Sequence, residues 1–300
     1  MVPGTTRTYW LRPRPGCVLL LLSSLVLGAC PASTHIAAPS ERIDDADVLL
    51  AQVAARAARI QDLSAEARVS YYGEEGARKA KAVILAKRPA ALHFSVYSPT
   101  DDMLAVLASN GERFTYFERG QPTCYGGRSC AENVGRFSVF PLEGAQLVDA
   151  LSGGVPLVPS TKTRLFWDRR SGSYQLERLG EEGVVQRIWV AHGSWRILRM
   201  EVHRGEALEL SLAFSDIKRV ADVELAHRID MRMPAKSIDL RVSFREVELN
   251  TDLGSTPFEI PCPEGTRQER LLCYDEEPNG QSKPSSTEGA PRLEEEKDGS

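Results

Sequence analysis

Several chemistries are missing from this sequence. It has no HExxH, no GxSxG and no phosphate-binding loop, so the usual routes to a metalloprotease, a serine hydrolase or a nucleotide enzyme are absent. Its five histidines, His35, His93, His192, His203 and His227, do not fall at metal-ligand spacing. No metal and no cofactor are called for, and the chain is read as a non-enzyme. Positive charge is also in deficit. Lys and Arg number 37 against 41 Asp and Glu, a formal charge of −4. Binding nucleic acid through a general basic face is thereby excluded. Long apolar runs are lacking too: the one that starts at Cys17 ends by Cys30, short of the roughly 20 residues that cross a bilayer comfortably.

That short run has the layout of a secretory signal. Arg7, Arg12 and Arg14 precede it, no acidic residue occurs before Cys30, and small residues close it. Its last four residues, Leu27-Gly28-Ala29-Cys30, resemble a bacterial lipobox. The resemblance implies that Cys30 becomes the first residue of the mature chain and carries acyl chains on its sulfur and amino group. One acyl chain holds a protein only marginally, whereas several hold it stably. Removal of the three arginines takes the formal charge from −4 to −7. Residues 30–43, polar and rich in Pro, Ser and Ala, read as a flexible tether.

Beyond Cys17 and Cys30, four cysteines remain in two close pairs, and an even number behind a secretion signal suggests disulfides. Of three connectivities, the local one is expected, Cys124–Cys130 and Cys262–Cys273. The intervening five and ten residues do not resemble the CxxC knuckles of zinc sites.

Residues 44–60 predict an amphipathic helix, with Val48, Leu49, Val53, Ala57 and Ile60 on one stripe and Asp44 or Asp45 as cap. From Leu63 the period becomes two. Leu63, Ala65, Ala67, Val69 and Tyr71 alternate with polar neighbours, and Asn110-Gly111 marks a tight hairpin. Gly126-Gly127, between two cysteines, reads as the tip of a small closed loop. Residues 143–151 predict a second helix, stopped by Gly153-Gly154. Alternating runs then resume and continue to about residue 250, with a register shift at Glu246-Val247 that a β-bulge would produce. Counting runs gives about eleven to thirteen strands. The expected fold is mainly β with a few helices: a curved antiparallel sheet, one face apolar, lidded by helices. Residues 44–274 form the domain. Residues 275–300, with eight acids against three bases, read as a disordered acidic tail.

Two blocks add a resemblance. Val106-Leu107-Ala108-Ser109-Asn110-Gly111 followed by Phe114, Tyr116 and Phe117 resembles the apolar strand, Ser-x-Gly, aromatic strand block of the LolA/LolB-like lipoprotein carriers. Phe140-Pro141-Leu142 through Gly153-Gly154-Val155-Pro156 resembles the helix and Gly-x-x-Pro element of the LolB-like members. The likeness covers roughly residues 45–250. It implies an incomplete β-barrel lidded by helices, enclosing an apolar cavity for lipid or lipoprotein acyl chains, with the Cys30 anchor holding it to a membrane. Candidate lining residues are Val69, Phe94, Val96, Leu104, Val106, Phe114, Leu210, Leu212, Leu225 and Ile229. The membrane-anchored members deliver cargo through an exposed apolar residue in a protruding loop. The matching loop is Ser98–Leu104, which makes Met103 and Leu104 the candidates, although Asp101 and Asp102 disfavour an anionic bilayer. Pro31 replaces the Asp that retains lipoproteins at the inner membrane in the enteric sorting rule, which points to the outer membrane. The alternative function is a non-transporting interaction or structural module of the envelope, with other envelope proteins as partners.

Overall fold

The computed structural model describes residues 35–74, 76–138 and 142–274. The lipobox with Cys30, Phe140-Pro141 and the acidic tail lie outside the described residues. The chain order is helix α1 (Ala46–Ala57), strands β1 (Asp62–Gly73), β2 (Gly76–Lys87), β3 (Ala91–Tyr97), β4 (Met103–Ser109), β5 (Arg113–Glu118) and β6 (Thr123–Arg128). Helices α2 (Ala131–Phe137) and α3 (Gly144–Leu151) follow. Then come β7 (Lys162–Asp168), β8 (Ser173–Leu179), β9 (Val184–Ala191), β10 (Ile197–Arg204), β11 (Ala207–Val220), β12 (Val223–Met233), β13 (Ile238–Leu249) and β14 (Arg267–Leu271).

All fourteen described strands belong to one sheet, ordered β14-β6-β5-β4-β3-β2-β1-β13-β12-β11-β10-β9-β8-β7. Every neighbouring pair is antiparallel except β14, which lies parallel to β6. The central contact, β1 against β13, joins the two halves of the chain. There Glu66 faces Glu246 and Ala67 faces Phe244, so Arg245 is the extra residue of a bulge. The sheet curls but is not closed by hydrogen bonds: β7 and β14 are its two edges. A long twisted sheet of this kind must curl, and its apolar concave face must then be covered.

The covers are the helices. Asp45 caps α1, its Oδ1 accepting from Asp47 N at 2.7 Å and Val48 N at 3.4 Å. The buried stripe of α1 is Leu49 with Leu50 and Val53 behind it; Val48, expected on that stripe, faces solvent. Glu143 and Gln146 form a reciprocal capping box at the start of α3, whose Leu147, Val148, Ala150 and Leu151 are buried. Arg88, at the end of β2, ties both lids together. Its Nε donates to Ile60 O at 2.8 Å, just beyond α1, and its Nη1 reaches Asp149 Oδ1 of α3 at 2.5 Å.

Three expectations are corrected. The disulfides are Cys124–Cys262 and Cys130–Cys273, not the local pairs. Cys124 is inside β6 and Cys130 just past its end, so neither can turn back on the other, whereas the chain after β13 returns alongside β6. Gly126 and Gly127 are consequently not a loop tip but the middle of β6. A Cβ on Gly127 would meet Leu271 O at 2.4 Å, so only glycine admits β14 at this distance. Helix α2 and strands β6 and β14 were not foreseen.

Candidate functional site

The concave face is the candidate site. Registers place an unbroken apolar row across eight strands: Leu165, Leu176, Ile188, Met200, Leu212, Met231, Leu240 and Tyr71 face one another in sequence from β7 to β1. A second row, Tyr125, Tyr116, Leu107, Phe94 and Ile84, crosses from β6 to β2. Each strand contributes because its side chains alternate between faces with period two. Together these rows and the buried sides of α1, α2 and α3 make one continuous apolar cluster.

Val69, Phe114, Leu212, Leu225 and Ile229 sit in that cluster, and Phe94, Val96 and Leu210 pack against it. Val106 does not belong to it. It lies opposite Ser95 and Phe117, whereas its neighbour Leu107 lies opposite Phe94 and Tyr116. Val106 therefore faces the convex side, and Leu104, two residues away, shares its phase. Alternation fixed two faces for β4 but not which was inside, because both are apolar: Ala105, Val106, Leu107 and Ala108 are all buried. The convex side is covered by the segment after β13. His93 Nδ1 donates to Pro257 O at 2.7 Å, and Nε2 accepts from Ser95 Oγ at 2.6 Å. Burial holds the His93 imidazole below its ordinary pKa, partly countered by the bond to Pro257. Asp62, buried at the start of β1, anchors the same segment by accepting from Thr251 N (2.8 Å), Asp252 N (3.0 Å) and Leu253 N (3.4 Å).

The concave face is filled in this conformation. Residues bordering an open cavity remain accessible to water, yet Val69 is 8 % exposed, Ile229 3 % and Leu225 0 %. The filling comes from the lids. Phe137 of α2 stacks on Tyr116 with centroids 4.2 Å apart, and Phe114 and Tyr125 complete an aromatic wall. The Tyr116 hydroxyl is buried there beside the Glu118 carboxylate, without a hydrogen bond of normal length. Burial, and next the Glu118 carboxylate, raise its pKa above the ordinary phenol value. The lids are fastened by polar contacts at the rim: Arg56 Nη2 donates to Glu224 O, Arg59 pairs with Asp222, and Arg88 pairs with Asp149. At the β7 end of the row, where Leu165 borders it, a hollow of about 600 Å³ between the start of α1 and β7 is open and polar, carries Asp44, Asp45 and Asp47, and does not suit an acyl chain.

The loop before β4 is tightly made. Ser98 Oγ accepts from Thr100 N and Asp102 N, Asp101 pairs with Lys81 at 2.7 Å, and Asp102 with Arg119 at 2.6 Å. Met103 is exposed and Leu104 half-buried. Among the described residues no three His, Cys, Asp or Glu side chains are placed to hold a metal ion, and no helix is long and apolar enough to cross a membrane.

Neither a family model nor a curated protein sequence matches the chain. Solved structures do match it. A DUF1329 family protein from Desulfovibrio piger shares 13 % identity at a TM-score of 0.54, covering 72 % of this chain and 98 % of its own. A domain described as an outer membrane lipoprotein-sorting protein, from Vibrio parahaemolyticus, shares 14 % at a TM-score of 0.50, covering 71 % and 97 %. The fold is LolA/LolB-like. A LolA superfamily protein from Nitrosomonas europaea, at 10 % identity and a TM-score of 0.49, covers 72 % of this chain and 97 % of its own. At these identities the likeness establishes the fold alone. The sheet gathers most of the nominated residues into one buried apolar cluster and leaves Val106 and Leu104 outside it.

Proposed function

We propose that this protein is a lipid-anchored lipoprotein of the bacterial envelope, outer membrane by its Pro31, that binds lipid or lipoprotein acyl chains in its lumen. The observation that carries the reading is the apolar row across β7 to β1, which is covered by short helices fastened at the rim through polar contacts. An acyl chain entering the lumen replaces one apolar partner with another. It regains about 0.8 kcal/mol for each buried methylene, while of the rim contacts Arg59–Asp222 is exposed and costs little to break, and the part-buried Arg56 and Arg88 contacts set the main resistance to opening. The closed form is then the empty form, and uptake requires α1 and α3 to lift. The supported activity is binding and release, with no bond made or broken.

The filled lumen favours a second reading, a non-transporting envelope module with the same fold. Mass spectrometry of lipid extracted from protein purified out of its native membrane, together with displacement of a fluorescent fatty-acid probe, separates the two. Co-purifying acyl lipid and saturable displacement are expected from the carrier. Absence of both results would leave the non-transporting module.

A further inference from the structure

The beginning of the described chain is not free. Ile36 N donates to Arg169 O at 2.8 Å, Trp167 Nε1 donates to Ile36 O at 3.1 Å, and the Ile36 side chain packs over Gly172. The tether is therefore seated on the β7–β8 turn. Only residues 31–35 separate Ile36 from Cys30, a reach of roughly 20 Å even when fully extended.

The surface around this seat is unlike the opposite end of the sheet. Ile36 and Phe166 are 48 % and 46 % exposed, and Arg169 and Arg170 project at the tip of the turn. The one acid of the turn, Asp168, is used internally: its carboxylate accepts from Arg170 N, Ser171 Oγ and Trp189 Nε1. Trp167 backs the corner, half-buried, its ring edge-on to Tyr174 at 5.2 Å. Apolar tips, an amphipathic indole and exposed guanidinium groups are what the interface of an anionic bilayer accommodates. Because strands alternate in direction, the β3–β4 loop with Asp101, Asp102 and Met103 lies at the other end of the sheet.

We propose that the corner formed by Ile36, Phe166, Trp167, Arg169 and Arg170 lies against the bilayer that holds the anchor, with Phe166 in the interface and both arginines on lipid phosphates. This inference rests on the Cys30 anchor of the proposed function but not on acyl-chain uptake. It turns the loop at 98–104 away from the tethering membrane.

The test uses full-length mature protein carrying its anchor, reconstituted into vesicles of phosphatidylethanolamine and phosphatidylglycerol. A photoreactive p-benzoylphenylalanine is placed at position 166 in one preparation and at position 103 in another; both sites are exposed, so the fold is retained. Flotation first reports the anchor, and mass spectrometry after irradiation reports lipid adducts. Adduct at 166 and none at 103 is expected, with loss of that preference in the Trp167→Ala chain, which frees the tether. Adduct at 103, whether alone or with 166, or at neither position in a chain that floats, overturns the orientation while leaving the anchor intact. A chain that does not float overturns both, and the fatty-acid displacement assay in solution is unaffected by either outcome.

Discussion

Removing the two disulfides one at a time and together distinguishes the crossed connectivity from the local one by energy as well as by chemistry. Cys124–Cys262 spans 138 residues, and a bridge closing a loop of that length lowers the entropy of the unfolded chain by an equivalent of about 5 kcal/mol. Once it is closed, Cys130–Cys273 adds a ring of only six residues on one side and eleven on the other, about 3 kcal/mol more. Each bridge can stand in for the other in closing the long loop. The Cys124→Ser/Cys262→Ser chain and the Cys130→Ser/Cys273→Ser chain should each lose about 3 kcal/mol, and the four-serine chain about 8 kcal/mol, more than the two losses added. Local bridges would close independent loops, with losses of about 2 to 3 kcal/mol each and about 5 kcal/mol together. Urea unfolding gives the three values. A tryptic digest without reductant provides the covalent check, because cleavage after Arg128, Arg267 and Arg270 puts the four cysteines on four different peptides. Additive losses, or a peptide pair joining Cys124 to Cys130, would refute the argument.

Three further outcomes follow from individual side chains. Tyr116→Phe removes a buried hydroxyl whose neighbouring acceptor, the Glu118 carboxylate, lies beyond normal hydrogen-bond length, and should raise stability by about 1 kcal/mol in urea unfolding; a loss of that size would mean the hydroxyl is firmly bonded to Glu118. Asp62→Ala takes the charged acceptor from three part-buried hydrogen bonds of residues 251–253 and should cost about 2 kcal/mol, with faster amide exchange confined at first to residues 250–262. His93 is held below its ordinary pKa of 6.5, so the unfolded chain takes up its proton first as pH falls. Its contribution is complete above 6.5 and declines as pH drops toward the folded-state value. Amide exchange at 255–262 should accelerate over that range in the native chain, and a His93→Gln chain should not show the change.

The sequence was most legible where one face of a strand is apolar and the other polar. In β12, Leu225, Ile229 and Met231 alternate with Glu224, Arg228 and Asp230, and pattern alone puts the first set inside. Helix α1 was legible from its cap and period, and α3 from its extent and the Gly153-Gly154 stop. In β4 the same reasoning had no purchase, since Leu104 and Val106 belong to an apolar run and the covering of its convex side comes from Pro257 and Phe258, some 150 residues later. Residues 255–274 have no alternation and little apolar content, so nothing local announced β14 or the partners of Cys262 and Cys273.

Composition, period and the short motifs determined a mainly β chain with a one-sided apolar sheet, two of its helices and the absence of familiar catalytic patterns, because these are properties of neighbours along the chain. Tertiary structure alone decided the crossed disulfides, the face that Val106 occupies, the filling of the lumen by its lids and the seating of Ile36 on the β7–β8 turn. The disulfides and the Ile36 seat join segments more than 100 residues apart, the lids pack on strands other than their immediate neighbours in the chain, and Val106 is a choice between two apolar faces. Such choices depend on which distant surface arrives to cover a residue, and the local pattern carries no record of that.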